Sequence, residues 1–215
     1  DILINEIMAD PSPLVGLPEV EFIELFNNTS KLLSSKNLNF GDASTTVTLP
    51  DLNLNPYGYY ILCTHKDTTI LKIFGKTIGL DALPSLNNTG DNLSLKNQNG
   101  DIIDAVDYSD SWYLDNTKKL GGWTLERINP LNECLGSDNW AASQSSIGGT
   151  PGKQNSIYNP AIDNTAPELI NVVAIGSNTI LVSFNEKIDS DQGQFLDLFT
   201  LSGNFTNTKI ELQND

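Results

Sequence analysis

Side chains able to do chemistry are few and spread along the chain. Glu24 stands in Val20-Glu21-Phe22-Ile23-Glu24-Leu25-Phe26; as a strand, this puts Glu24 on one face with Val20, Phe22 and Phe26, and Ile23 and Leu25 on the other. An ionised carboxylate among apolar neighbours needs a cation or a hydrogen-bonding partner. Arg127 faces the mirror-image problem, since Trp123, Leu125 and Arg127 share a face of a later strand. A bidentate Glu24 to Arg127 ion pair satisfies both, which makes the pair scaffold; a ligand or metal role is the alternative.

The other reactive groups give weaker patterns. Nucleophilic hydrolysis needs a base held against its nucleophile, and His65 is the single histidine. It lies at a strand end beside Cys63, Thr64, Lys66 and Asp67, with no Gly-x-Ser-x-Gly elbow anywhere, and reads as an exposed or rim histidine. Asp101, Asp104, Asp107 and Asp110 recur at spacing three, a helical cluster that disperses in a strand, where Asp104 leaves with Ile102, Val106 and Tyr108. Two-carboxylate glycosidase chemistry has acids enough but no supporting pattern. Asp189-Ser190-Asp191-Gln192-Gly193 opens like a calcium loop, yet Thr200 stands where the bidentate acid belongs, so it reads as a polar turn. No cofactor is expected beyond weak Ca²⁺ binding between acidic loops. Trp112, Tyr113 and Trp123 flank the loop from Leu114 to Gly122, which carries Lys118 and Lys119. Such aromatics either contact a ligand, stacking on sugars or anchoring a protein, or cap the edge of the core.

Composition bounds the classes. The 215 residues carry 12 basic and 27 acidic side chains, a net charge of −15, with a pI near 4.2. This excludes an electrostatic binder of duplex DNA, which needs clustered Lys and Arg. At 39% hydrophobic residues, spread along the whole length, a packed core is expected. The longest apolar runs, as at Tyr59 to Cys63, fall far short of the ~20 residues a membrane helix requires, so no membrane insertion is expected. The start at Asp1, with no basic n-region or signal peptide, reads as a mature end or an artificially chosen one. Cys63 and Cys134 lack metal-site spacing and form either one disulfide or two free thiols.

The elements that must hold these residues are strands. Period-two alternation is frequent, helical periodicity is almost absent, and the 25 Asn supply turns. The alternation predicts strands over Ile2 to Ile7, Val20 to Phe26, Thr45 to Leu49, Tyr59 to Thr64, Asn92 to Lys96, Ile102 to Tyr108 and Trp123 to Ile128. Asn97-Gln98-Asn99-Gly100 predicts a hairpin turn, and the best helix candidate is a turn or two over Gly79 to Leu86. From Gly148 to Pro167 the chain turns to Gly, Pro and Asn, with little that could enter a core, and reads as a domain end and linker. Beyond it, strands are predicted over Leu169 to Ile175, Asn178 to Asn185, Phe195 to Leu201 and Asn204 to Leu212. These make only part of a sandwich.

Residues 1–158 resemble the bacterial lamin-tail domain, an immunoglobulin-like sandwich. The words occur in the family's order: Ile4-Asn5-Glu6-Ile7; Glu21-Phe22-Ile23-Glu24-Leu25; Pro56-Tyr57-Gly58-Tyr59; Asn88-Thr89-Gly90-Asp91; Leu93-Ser94-Leu95. They continue with Gly100-Asp101 through Asp104 and Val106; Trp112; Leu125-Glu126-Arg127; Asn139-Trp140; and Gly149-Thr150-Pro151-Gly152 with Asn155-Ser156. One word departs: the family's Gly-Trp is replaced by Asn39-Phe40-Gly41. The tail, with Leu181-Val182-Ser183-Phe184-Asn185-Glu186, resembles the opening of bacterial Ig-like domains. The expected architecture is therefore all-β: an immunoglobulin-like sandwich over 1–158, a linker over 159–167, and over 168–215 the truncated first part of a second Ig-like unit.

Together the resemblances imply a multidomain bacterial protein, extracellular, periplasmic or at the cell surface, and name no reaction. In a secreted setting a Cys63 to Cys134 disulfide is the favoured pairing. The expected function is a non-enzymatic module for adhesion, spacing or protein partner recognition, and the alternative is a carbohydrate-binding accessory module. Partners would be proteins or glycans, not nucleic acid. Unpaired edges in the truncated unit would allow a dimer by strand addition.

Overall fold

Runs of alternating apolar residues, bounded by Asn, Gly and Pro, fold here into a two-layer β structure. The computed structural model describes residues 1–132, 135–161, 166–185, 188 and 209. Its strands are β1 (Ile2–Met8), β2 (Phe22–Asn27), β3 (Leu33–Ser34), β4 (Asn39–Gly41), β5 (Thr46–Thr48), β6 (Asn53–Leu54) and β7 (Tyr59–Thr64), then β8 (Lys76–Leu80), β9 (Gly90–Lys96), β10 (Ile102–Ser109), β11 (Leu125–Arg127), β12 (Trp140–Ala142), β13 (Leu169–Ala174) and β14 (Ile180–Phe184). One helical turn, α1 (Thr68–Leu71), follows β7. The chain divides into two compact units, the first formed by Asp1–Leu131 with Ser137–Ala161.

In the first unit a six-stranded sheet, β12-β11-β1-β2-β7-β8, faces a four-stranded sheet, β10-β9-β4-β5. The pairings are antiparallel except for β7 with β8, which run parallel across the connection that holds α1. Ile4, Ile7, Ile23, Leu25, Leu62 and Leu125 from the large sheet meet Phe40, Leu93, Leu95 and Val106 from the small one. Asn39-Phe40-Gly41, the departure from the family's wording, is thus a true strand whose Phe40 ring fills the core. The predicted hairpin also forms: Gly100 adopts φ 90°, its N–H donates to the Asn97 carbonyl, and the Asn97 N–H donates to the Asp101 carbonyl.

The large sheet is buried on both faces. Its second face carries Met8, Phe22, Ile61 and Cys63 and is covered by Leu17 and Leu71. Every residue of β1 and β2 is buried in consequence. Between Ile4 and Glu6 the pairing of β1 with β2 shifts register, so Ile2 and Ile4 before the bulge and Ile7 and Ala9 after it all reach the main core.

The helix expected over Gly79 to Leu86 does not form. Lys76–Leu80 is an edge strand that sends Ile78 and Leu80 into the core, and the helical turn lies at Thr68–Leu71, where only Leu71 is buried. A two-residue apolar alternation ending at a proline-limited loop reads equally well as a helix start, and pairing with β7 decides it. In the second unit β13 and β14 pair antiparallel from Leu169 opposite Phe184 to Ala174 opposite Ile180. The strands expected over 195–201 and 204–212 lie outside the described residues.

Cys63 is a free thiol and not half of a disulfide; Cys134 lies outside the described residues. The Cys63 side chain is wholly buried beside Phe22, Ile61 and Leu71, and burial, with Asp67 nearby, pushes the thiol up to about 11. Alkylation of the unreduced protein is expected to spare Cys63 when native and label it after unfolding. A tryptic peptide in which Cys63 is linked to Cys134 would contradict this.

Candidate functional site

The pairing of Glu24 with Arg127 does not exist, because the two side chains leave opposite faces of the large sheet. Leu125 and Arg127 point into the sandwich, whereas Glu24 points outward with Phe22. Alternation along one strand tells which residues share a face, but not which face of the assembled sheet that is. Arg127 instead binds Asp104 across the sandwich, Nη2 to Oδ2 at 2.6 Å, with both side chains nearly buried. Its Nε donates to the Ile4 carbonyl at 2.8 Å and its guanidinium stacks 4.9 Å from the Trp140 ring centre. The Ile4 N–H, freed at the bulge, donates to the same Asp104 Oδ2 at 2.6 Å. One carboxylate from β10 therefore ties together β1 and β11 of the opposite sheet.

Glu24 belongs to a different arrangement, which the sequence reading missed. Glu6 on β1 lies opposite Glu24 on β2 and opposite Glu126 on β11, so three glutamates stand side by side on the outer face, all wholly buried. What buries them is the segment from Gly148 to Ile157, which crosses the sheet as a strap. Glu6 Oε1 accepts from the Thr150 N–H at 2.6 Å and from Thr124 Oγ1 at 2.7 Å. Glu24 accepts from the Gly152 N–H and from Asn5 Nδ2. Glu126 accepts from Thr150 Oγ1 and Ser156 Oγ, both at 2.8 Å, and from the Ile157 N–H at 3.2 Å. Asn155 closes the lattice by donating to the carbonyls of Asn5 and Arg127.

Two glycines let the strap come this close. A Cβ on Gly149 would lie 2.7 Å from Glu6 Oε1 and 2.6 Å from Leu17 Cδ1. Gly152 sits at φ 83°, and a Cβ there would lie 2.2 Å from the Phe74 carbonyl oxygen. The segment read as having little to bury in fact buries Gly149, Thr150 and Asn155, because its partners are carboxylates and not a hydrophobic core. The readable signal was a glutamate in the middle of each of three apolar strand words, followed by a Gly-rich segment offering N–H groups.

The electrostatics follow from burial. Removal from water, with Glu126 adding repulsion, pushes Glu6 up to about 8. Burial, then Glu6, holds Glu24 well above the usual carboxylate range. One oxygen of the row, Glu6 Oε2, is buried with no hydrogen-bond partner. Among the described residues no three His, Cys, Asp or Glu side chains are arranged to hold a metal ion.

The remaining candidates are dispersed. His65 Nε2 lies 3.4 Å from Asp81 Oδ1 on an exposed surface. Of the aromatics, Tyr113 is buried and its hydroxyl donates to the Trp123 carbonyl at 3.1 Å, while Trp112 packs 6.3 Å from Trp140. Trp123 lies beneath Lys118, whose Nζ donates to the Ser143 carbonyl. These rings cap the core edge. The calcium-like stretch over 189–193 lies outside the described residues, and among those described no helix is long and apolar enough to cross a membrane.

Replacing Arg127 by Met or Asp104 by Leu alone is expected to cost about 3–5 kcal/mol in denaturant unfolding, and the double replacement much less than the sum. Glu24→Gln combined with Arg127→Met is expected to be additive, since the two share no partner. Gly152→Ala should destabilise by about 2 kcal/mol or more, through positive φ and the Phe74 clash.

The search of curated proteins and the search of solved structures returned no match. The model of the Lamin Tail Domain family matches residues 1–110, which hold β1 to β10, while β11, β12 and the strap complete the same unit beyond the match. The chain, an immunoglobulin-like β-sandwich by fold, belongs to the Lamin Tail Domain family.

Proposed function

We propose that the chain is a non-enzymatic structural and interaction module of a secreted or cell-surface bacterial protein, serving spacing, adhesion or recognition of a protein partner. The observation that carries this reading is where the acids go. The three buried glutamates and Asp104 are occupied in bracing the fold, by the strap and by Arg127, and none opens onto a cleft with a base or nucleophile beside it. Family membership in an Ig-like module class supports the same reading.

The surface for a partner is best sought at one end of the sandwich. There the loop after β10 exposes Leu114 (82%) and Leu120 (66%), and the loop after β1 exposes Leu14 (63%). The two loops meet, since the Gly122 N–H donates to the Asp10 carbonyl at 2.8 Å. Exposed apolar side chains on a braced scaffold are the usual anchors of protein recognition. The carbohydrate-binding alternative rested on Trp112, Tyr113 and Trp123, whose faces are engaged internally.

An antibody raised against residues 1–161 is expected to label intact, unpermeabilised cells of the source bacterium. The purified chain should bind such cells or their matrix proteins, and Leu114→Asp with Leu120→Asp should weaken that binding roughly tenfold at an unchanged melting temperature. Labelling only after permeabilisation would overturn the location. Binding to a glycan array would favour the accessory-module reading instead.

A further inference from the structure

Three carboxylates in adjacent register, sealed from water, cannot all stay charged without compensation. The groups facing Glu6 are Glu24 from β2, Glu126 from β11 and the exposed Lys153 from the strap. Tyr59 from β7 faces Glu24, with Tyr158 beside it. Lys153 is the sole cation among them. Every glutamate oxygen named above has a donor except Glu6 Oε2, which is wholly buried and unpartnered. An orphaned buried carboxylate oxygen is where a proton is held.

We propose that the glutamate row is a proton-operated latch on the strap: while Glu6 keeps its proton the segment from Gly148 to Ile157 stays seated, and loss of that proton unseats it. The step is an ionisation, with the Glu6 carboxyl giving its proton to solvent and adding a negative charge to the buried row. The strap gives way first because it is what keeps water from the row: its donors favour the ionised carboxyl, but burial outweighs them, and lifting the strap hydrates the new charge. Its N–H groups at Thr150, Gly152 and Ile157 are bound to the row, whereas the rest of the sheet is held by ladders and core.

The sign follows from burial. Glu6 titrates near 8 when folded, against an ordinary value of 4.5, so between these limits the folded protein holds a proton that the unfolded chain has released. The stability this contributes is full below 4.5 and is lost as pH rises through 8. For a midpoint near 8, the ionised share climbs from about a tenth at pH 7 to about nine tenths at pH 9.

Lys153 makes the strap a protease sensor, since trypsin cuts after it only when the segment lifts. Cleavage after Lys153, taken as a ratio to cleavage after the exposed Lys36, is expected to rise roughly tenfold from pH 7 to 9 in the natural chain and to stay flat in Glu6→Gln, which mimics the neutral acid. A flat ratio in the natural chain, or an equal rise in Glu6→Gln, overturns the latch. If Glu6→Gln does not fold, ¹³C-carboxyl NMR of the natural chain decides: titration of Glu6 between pH 7 and 9 together with the cleavage rise supports the proposal, and a midpoint near 4.5 overturns it.

Discussion

A carboxylate taken out of water must be met by donors or give up its charge, and the large sheet takes three out of water in one row. Much of the first unit is arranged around that demand. The strap supplies backbone N–H groups and hydroxyls, its glycines let it approach, and the bulge in β1 turns Asn5 and Glu6 toward it while keeping Ile4 and Ile7 in the core. The sheet then needs covering on both faces, which is why β1 and β2 carry no exposed residue.

The same bulge links this outer lattice to the inner ion pair. By freeing the Ile4 N–H for Asp104, it places the carboxylate where Arg127 needs it, and Arg127 in turn lies against Trp140. Asn155 ties the strap to the backbones of β1 and β11, donating to the carbonyls of Asn5 and Arg127. The words by which the chain resembles its family thus meet in space. Glu6 of Ile4-Asn5-Glu6-Ile7, Glu24 of Glu21 to Leu25 and Glu126 of Leu125-Glu126-Arg127 are the glutamates that Gly149-Thr150-Pro151-Gly152 and Asn155-Ser156 cover.

Much of this was legible in the chain. Tyr59 to Cys63 is a short continuous apolar run closed by Thr64, and its strand has those bounds, while the Asn-Gly turn predicts the β9 to β10 hairpin. Glu24 was recognisable as an interior carboxylate and Arg127 as an interior cation, because each sits among apolar neighbours. Their partners were not legible. Alternation put Asp104 on one face with Ile102, Val106 and Tyr108, but it lay inside an acidic run that looked like solvated surface. Glu126 was masked by Arg127 beside it, and the strap by a composition typical of linkers.

By itself the sequence determined the all-β class, the positions of β1, β2, β5, β7, β9, β10 and β11, the acidic surface and which residues share a face within each of these strands. These depend on period-two alternation and on turn chemistry, both local. Only the tertiary structure decided that Glu24 and Arg127 leave opposite faces, that Asp104 completes the inner pair, and that Gly148 to Ile157 seals the outer row. Sidedness and long-range partners are set when strands separated by a hundred residues take adjacent places in one sheet, and no local pattern carries that information.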